Sequence, residues 1–583
     1  MGGFFLVRDD RSDAGSARAE RMRASFERQG FTAPKVLRAG STQVSIYPKL
    51  CDSSDNVVTG ENGEFCAATG TLLYGKTNGP AALRRLLRDF KSGTIQRSSL
   101  HGHYCVLIGS GGALKVFTDP FGTYPVWQNA DCDVVSSSFL AISDAMDGVT
   151  VDTQSAYEYV FQGAIYGGAS VFREIELFDC HSIMRVGSAV EIQPWGPTPA
   201  AADPGLSDDD HLARNLGNLR DYYDAIVSCF GDRIDTALSG GYDSRLTLAL
   251  LLERGASPSI HVYGRPGDDD VTVAKHVAAN EGFDLSHVDK STFAPLEPDA
   301  FADVVDRNFL AFHGHPPDGL FENGSDLKTR MGLSRGGRLM LNGGGGEVFR
   351  NFFYLPDRPF SIRQVLWSFY SRFDPATCTR LFDTERYYRV LEDKVRMTLG
   401  VVGDRLSRRE VERVYPEFRC RFWMGRNNSV NNRLGPALTP FIDENVVPDT
   451  LGLPLKIKNF GRFEARMINA INPRLAAYQT VYGHGLAGDP PLTRILKDLK
   501  TYIRPPLLRR FTYRLKNRRP VPRPYWLSDD YVGRVLDLEF PYARRLFDVS
   551  RVCDNEQYNR ICTLEFLLEK YQPAFADHDT GPA

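Results

Sequence analysis

The residues with most capacity for chemistry lie in one string, Ser239-Gly240-Gly241-Tyr242-Asp243-Ser244, between the apolar run Ile234–Leu238 and a helical pattern. Two adjacent glycines let the backbone bend sharply and approach a ligand with no Cβ in the way. The amides at the start of the following helix point outward, and the helix dipole adds partial positive charge there. A pyrophosphate group fits such a place. The hydroxyls of Ser239 and Ser244 can bond its oxygens, and Asp243 can hold a magnesium ion. The same string also serves as a plain strand–helix turn, with Asp243 capping the helix.

Strand–helix alternation positions that loop. After residue 213 the pattern alternates strand and helix: strands Arg233–Leu238, Ser259–Tyr263, Leu285–Val288 and Arg338–Leu341, with helices over Ser244–Arg254, Val271–Asn280 and Phe301–Phe312. That order predicts a parallel sheet with helices on its faces, and ligands bind such sheets at the carboxyl ends of the strands. From about residue 360 the chain reads as helical. Residues 1–195 read as β-rich, with strands at 3–8, 42–46, 66–74, 104–109, 113–118 and 134–138 and helices at 14–28 and 81–90. Ser110-Gly111-Gly112 reads as a hairpin turn. The Pro- and Ala-rich stretch from Pro194 to Asp210 reads as a break, giving domains at 1–195 and 213–583 with a linker at 196–212.

With 583 residues, 42% apolar and 24% charged, the chain reads as a soluble, multidomain globular protein. A net charge of -2 gives no overall pull toward nucleic acid. No apolar run has the length of a signal peptide or membrane span, so a cytoplasmic location is expected. The ten scattered cysteines form no CxxC pair and read as buried small hydrophobes.

Ser239–Ser244 resembles the pyrophosphate-binding motif of the N-type ATP pyrophosphatases, and nearly the whole chain resembles the asparagine synthetase family. Further stretches support the likeness. Thr118-Asp119-Pro-Phe-Gly122-Thr-Tyr-Pro125-Val resembles an N-terminal hairpin of the family, and Asn342-Gly-Gly-Gly-Gly346-Glu347-Val-Phe its second glycine-rich loop. Pro440-Phe441-Ile-Asp443 resembles a later segment, and Asn472-Pro-Arg-Leu-Ala476 occupies the place of another. The resemblance implies an α/β fold: an N-terminal αββα (Ntn-type) sandwich of the class II glutamine amidotransferase kind, and a C-terminal ATP-pyrophosphatase domain (adenine nucleotide alpha hydrolase-like) with a helical extension. It further implies an ATP-dependent C–N ligase that forms an acyl-adenylate and releases AMP and pyrophosphate. Leu238, Ser239, Gly240, Gly241, Tyr242, Asp243, Ser244, Gly343 and Gly344 would bind ATP or pyrophosphate. Asp243 and Glu347 would be the catalytic pair and hold Mg2+.

Three departures qualify that reading. The family's glutaminase needs cysteine after the initiator methionine, and this chain has Gly2. Glutamine hydrolysis is therefore not expected, as in the β-lactam synthetases and some lasso-peptide cyclases. Gly346 stands at the family's second metal-binding Asp, and Gly343 at a preceding Glu. Thr480 stands where a lysine steadies the adenylate, and nearby Lys456 and Lys458 read as solvated surface charges. The alternative is a degenerate nucleotide-binding or scaffold protein in natural-product or polysaccharide biosynthesis. A tRNA-thiolase chemistry is disfavoured by the missing cysteine pairs.

Four other features need a place. His313-Gly314-His315 reads as a structural pair in a turn or as acid–base groups. Arg245 can touch phosphate or carboxylate, or face solvent. Arg494 to Arg523 holds eleven lysines and arginines against Asp498 alone. That segment reads as a solvated basic face, since Pro505-Pro506 breaks any continuous helix; an anionic partner (lipid headgroups, a phosphorylated carrier or RNA) is the other reading. The partners expected are a carboxylate and an amine substrate, not nucleic acid; their identities and the oligomeric state are not encoded in any motif.

Overall fold

The computed structural model describes residues 2–9, 11–195 and 205–575. Its N-terminal half is two antiparallel sheets packed face to face. One, of six strands, runs in the order 175–177, 127–129, 134–136, 3–7, 42–47, 35–39. The other continues 190–194, 182–186, 113–118, 100–110, 65–74, 57–59. Side chains alternate across each strand. Phe4, Leu6, Val44 and Ile46 meet Phe65, Ala67, Leu107 and Val116 between the sheets. Phe5 and Val7 point outward onto Met22 and Phe26 of helix Asp13–Arg28. On the far side Cys66, Ala68 and Val106 pack on Leu83 and Leu86 of helix Gly79–Lys91. The layers are therefore αββα, and burial on both faces explains why Gly3–Val7 has no polar residue. The predicted hairpin is present: Ser110 pairs with Ala113 across Gly111 and Gly112, whose φ values of 59° and 75° suit glycine.

The C-terminal half holds a five-stranded parallel sheet. Its strands are β1 (Ile234–Ala237), β2 (Ser259–Tyr263), β3 (Leu285–Val288), β4 (Leu339–Leu341) and β5 (Ala437–Leu438), in the order β3-β2-β1-β4-β5. The chain runs outward from β1 through β2 to β3, then returns to the other side of β1 as β4. The order reverses between β1 and β4, the switch point where open α/β sheets bind ligands. Helix α1 (Asp243–Glu253) follows β1, and its Leu246, Leu248, Leu250 and Leu251 are fully buried. Helix α2 (Arg462–Ile471) packs against it.

The structure corrects the sequence reading in two places. Asp208-Asp209-Asp210, read as the end of the linker, opens the 23-residue helix Asp208–Phe230. Ser207 caps it by accepting from Asp210 N, and three carboxylates suit a helix N-terminus. The rest of the linker, 196–204, lies outside the described residues. Strand β5, two residues long, sits inside the region read as helical.

The halves are tied together. Lys49 Nζ donates to the carbonyls of Asn432 (2.6 Å) and Gly435 (3.1 Å), and Thr71 Oγ1 to Asn432 Oδ1 (2.6 Å). His103 Nε2 accepts from Thr439 N at 2.8 Å. That bond fixes the tautomer, and burial pushes His103 down to about 4.

Candidate functional site

The Ser239–Ser244 loop emerges at the switch point. Ser239 and Ser244 hydroxyls lie 2.9 Å apart, Ser239 N donates to Ser244 Oγ (3.0 Å) and Gly241 N to Ser239 Oγ (3.3 Å). The Gly240 N–H donates to Asp270 Oδ1 at 2.7 Å, so a carboxylate oxygen already rests on the loop as an anion would. A Cβ on Gly240 would lie 2.1 Å from Val481 Cγ1, which makes glycine necessary there. Val481 N in turn donates to Gly240 O.

Not every predicted ligand faces the crevice. Leu238 is buried in the core around Ile260 and Val262, and Tyr242 is buried beside Tyr482. Only their backbones can serve a ligand. Arg245 neither contacts an anion nor meets solvent. It is fully buried and donates to the carbonyls of Leu475 (3.3 Å), Tyr478 (2.7 Å) and Gln479 (2.9 Å), clamping the segment that carries Thr480 and Val481.

The second loop follows β4 and lies against the first. A Cβ on Gly343 would meet Asp243 O at 2.9 Å; Gly344 N donates to Asn342 Oδ1 at 2.8 Å. A Cβ on Gly346 would sit 2.6 Å from Asp243 Oδ1 and 3.1 Å from Glu464 Oε1. Asp243, Glu347 and Glu464 surround one guanidinium. Arg350 Nη2 is 2.6 Å from Asp243 Oδ1 and 3.6 Å from Glu347 Oε1, and its Nε is 3.1 Å from Glu464 Oε2. Glu347 Oε2 also accepts from Tyr415 OH at 2.5 Å. Burial raises the Asp243 carboxyl against the pull of Arg350. Burial and the Asp243 charge push the Glu464 carboxyl far up, against the pull of Arg350. Burial opposes the charge on Arg350, yet the three carboxylates together hold it charged.

These residues do not fit a divalent metal. The cation's place between Asp243 and Glu347 is taken by Arg350, and no ligand side chain can enter from position 346. Repulsion between a metal ion and that guanidinium amounts to about 4 kcal/mol per unit of charge at about 4 Å for partly screened groups. The expected Mg2+ pair Asp243/Glu347 is thus corrected to an internal salt-bridge cluster. Sequence reading missed Arg350, Glu464 and Asp270. Arg350 lies three residues after Glu347, a spacing that favours an ion pair. Glu464 carries no local signal.

Thr480 is buried, with Oγ1 donating to His484 O at 2.8 Å. Lys456 is solvated, but Lys458 is buried and committed to Glu412 at 2.5 Å, against the expectation of a surface charge. His313 and His315 are buried beside Ser429 and Phe139, and burial drives both far below the usual histidine range, so they serve as neutral packing groups. Asp119 ties its own hairpin by accepting from Thr123 N and Tyr124 N, and Asp443 pairs with His101 at 3.2 Å across the two halves. Asn472 caps helix Pro473–Ala477. A side chain at Gly2 would meet Pro48 O at 2.8 Å and Arg433 O at 2.9 Å, so position 2 has no room for a nucleophile. Asp179, Cys180 and His181 bring ligand atoms within 4.8 Å, but burial pushes the Cys180 thiol up to about 12 and Arg421 lies 3.7 Å from Asp179.

A cavity of about 550 Å³ opens at the carboxyl ends of β2 and β3, the same edge of the sheet as the loop. Tyr263, Gly264, Val288, Arg330, Asn427 and Trp526 line it.

No family model and no curated protein matches this chain. Among solved structures it is similar to a glutamine phosphoribosylpyrophosphate (PRPP) amidotransferase from B. subtilis complexed with ADP and GMP. That likeness has 9% identity, 51% of this chain, 69% of the other and a TM-score of 0.23. A second, described as the allosteric regulatory enzyme of purine biosynthesis, has 10% identity, 59% and 74% coverage and a TM-score of 0.22. Likeness at that level assigns neither fold nor activity, and the architecture rests on the topology above.

Proposed function

We propose that this chain is an ATP-dependent, amide-forming carbon–nitrogen ligase of the asparagine synthetase kind that does not hydrolyse glutamine. One observation carries the reading: a Ser-Gly-Gly-x-Asp-Ser loop stands at the switch point of a parallel sheet, with the Gly240 N–H already on a carboxylate oxygen. A substrate carboxylate oxygen attacks the α-phosphorus of ATP, and the bond to the β-phosphate breaks with release of pyrophosphate. An amine then attacks the acyl carbon, AMP leaves with the C–O electron pair, and the proton lost from the nitrogen passes to solvent. Ser239, Gly240, Gly241 and Ser244 hold the leaving pyrophosphate, aided by the N-terminus of α1. Gly343 and Gly344 let the second loop approach the same site. The cavity beside Tyr263 and Trp526 takes the acid and amine. The closed packing at Gly2 supports the absence of a glutaminase step.

The second reading, a nucleotide-binding scaffold without turnover, draws on Arg350 at the metal's place and Thr480 at the lysine's. Calorimetry with ATP on wild type and Ser239→Ala separates the cases. Binding that the variant weakens supports the site in both readings. No binding by wild type rejects both.

A further inference from the structure

Two surface helices are turned inside out. On α3 (Leu492–Tyr502), Leu492 and Leu496 are exposed, as is Ile503 at its C-cap, one face of a helix by spacing. The buried residue of that helix is Asp498, 3.2 Å from Arg494. On α4 (Pro506–Asn517), Leu507, Phe511 and Leu515 are 57%, 57% and 47% exposed. Arg509, 1% exposed, points inward and donates to the carbonyls of Phe353 (2.6 Å), Tyr354 (2.7 Å) and Thr501 (2.7 Å). A surface helix normally buries its apolar stripe and solvates its charges. Here the reverse arrangement is held by built hydrogen bonds, so it is the intended orientation.

The exposed stripe is also concentrated. Of the sixteen exposed large hydrophobics among the described residues, eight fall between Leu492 and Val521. Such a patch marks an interaction surface. Next to it an apolar groove of about 570 Å³ runs between Phe373, Tyr388, Pro505, Leu508 and Phe511. The same segment is cationic. Among the described residues only its Arg494, Arg514 and Arg518 lie within ion-pair distance of a carboxylate. Lys497, Lys500, Lys516, Arg519 and Arg523 are exposed without one.

We propose that the α3–α4 face docks on an anionic lipid bilayer, lying in the plane of the headgroups. Leucine and phenylalanine side chains enter the acyl boundary while the lysines and arginines meet lipid phosphates. No helix of the described residues is long and apolar enough to cross a membrane, so the contact is peripheral. A second copy of this chain fits the face poorly, because a two-fold contact would oppose two cationic surfaces. Nucleic acid would leave the aliphatic stripe without a partner.

The test is co-sedimentation of the full chain with phosphatidylcholine vesicles, with and without about 30% phosphatidylglycerol. Two variants change exposed side chains only: Leu507→Ser/Phe511→Ser and Lys497→Gln/Lys500→Gln. Wild type is expected to pellet with the anionic vesicles, to release as salt rises, and to bind neutral vesicles weakly. Each double variant is expected to lower the partition coefficient about tenfold or more. Wild type left in the supernatant with anionic vesicles overturns the proposal. So does equal pelleting of wild type and both variants. Self-association abolished by Leu507→Ser/Phe511→Ser, or binding of an RNA oligonucleotide with none to vesicles, assigns the face to another partner and overturns it as well.

Discussion

Gly2 and Gly346 are two positions where the resemblance to the asparagine synthetase family implies a reactive side chain, and their surroundings differ in kind. Around Gly2 lie the carbonyls of Pro48 and Arg433 and the ring of Phe31. Backbone fixed at the end of the strand 42–47 and in the helix 425–434 cannot yield, so that position is closed by packing. Around Gly346 lie the carboxylates of Asp243 and Glu464, and a guanidinium from a neighbouring turn balances them. That position is closed by charge, and one substitution can reopen it. A site closed by packing has no way back through a single residue; a site closed by a salt bridge keeps its ligands in place.

The largest effect expected from that contrast is at Arg350. Arg350→Ala leaves Asp243 and the fully buried Glu464 without their cation, and breaking this partly buried cluster costs up to about 3–5 kcal/mol. Urea unfolding is expected to show the loss, and Mn2+ is expected to restore part of it while leaving wild type unchanged. Equal Mn2+ response in both proteins would mean that the guanidinium does not occupy a metal's place.

His103 tests the seam between the halves. Its folded value of about 4 lies below the unfolded value of about 6.5. Between those values the unfolded chain binds the extra proton, so stability falls as pH drops from about 6.5 to about 4, by roughly 3 kcal/mol. His103→Gln is expected to lose that part of the acid slope in denaturation curves recorded across the window. A slope identical to wild type would place the titration elsewhere.

Gly2→Cys sharpens the packing side of the comparison. Forcing a side chain into closed backbone costs about 1–3 kcal/mol, so the melting temperature is expected to fall with no glutaminase activity gained. Ammonia release from glutamine by this variant would show that the pocket opens.

The smallest effect concerns Asp270. Asp270→Asn removes a charge-assisted bond to Gly240 N, and inorganic pyrophosphate is expected to bind about tenfold more tightly by calorimetry. Weaker binding would make Asp270 part of the ligand site rather than its competitor.

The strand–loop–helix around Ser239 was legible because an apolar run, two glycines and a polar turn fall within twelve residues. The β-rich character of residues 1–195 was legible from the candidate strands and from Gly111-Gly112, whereas the αββα layering came only from the family resemblance. What escaped notice depends on residues distant in sequence. Arg350 meets Asp243 107 positions away, and nothing in Glu464's own helix announces its partner. Strand β5 is too short to show a period. Lys458 sits in a Leu-Lys-Ile-Lys run that looks solvated, and only the approach of Glu412 explains its burial. Arg245 follows the key loop directly, yet the carbonyls it serves lie beyond residue 474.

The most direct test of the proposed ligase is the joint release of AMP and pyrophosphate from ATP, assayed with a panel of amino-acid and peptide carboxylates plus amines. Equimolar AMP and pyrophosphate with one carboxylate, lost in Ser239→Ala and insensitive to added glutamine, is the expected result. ATP bound with no pyrophosphate released for any acid would contradict it and leave the scaffold reading.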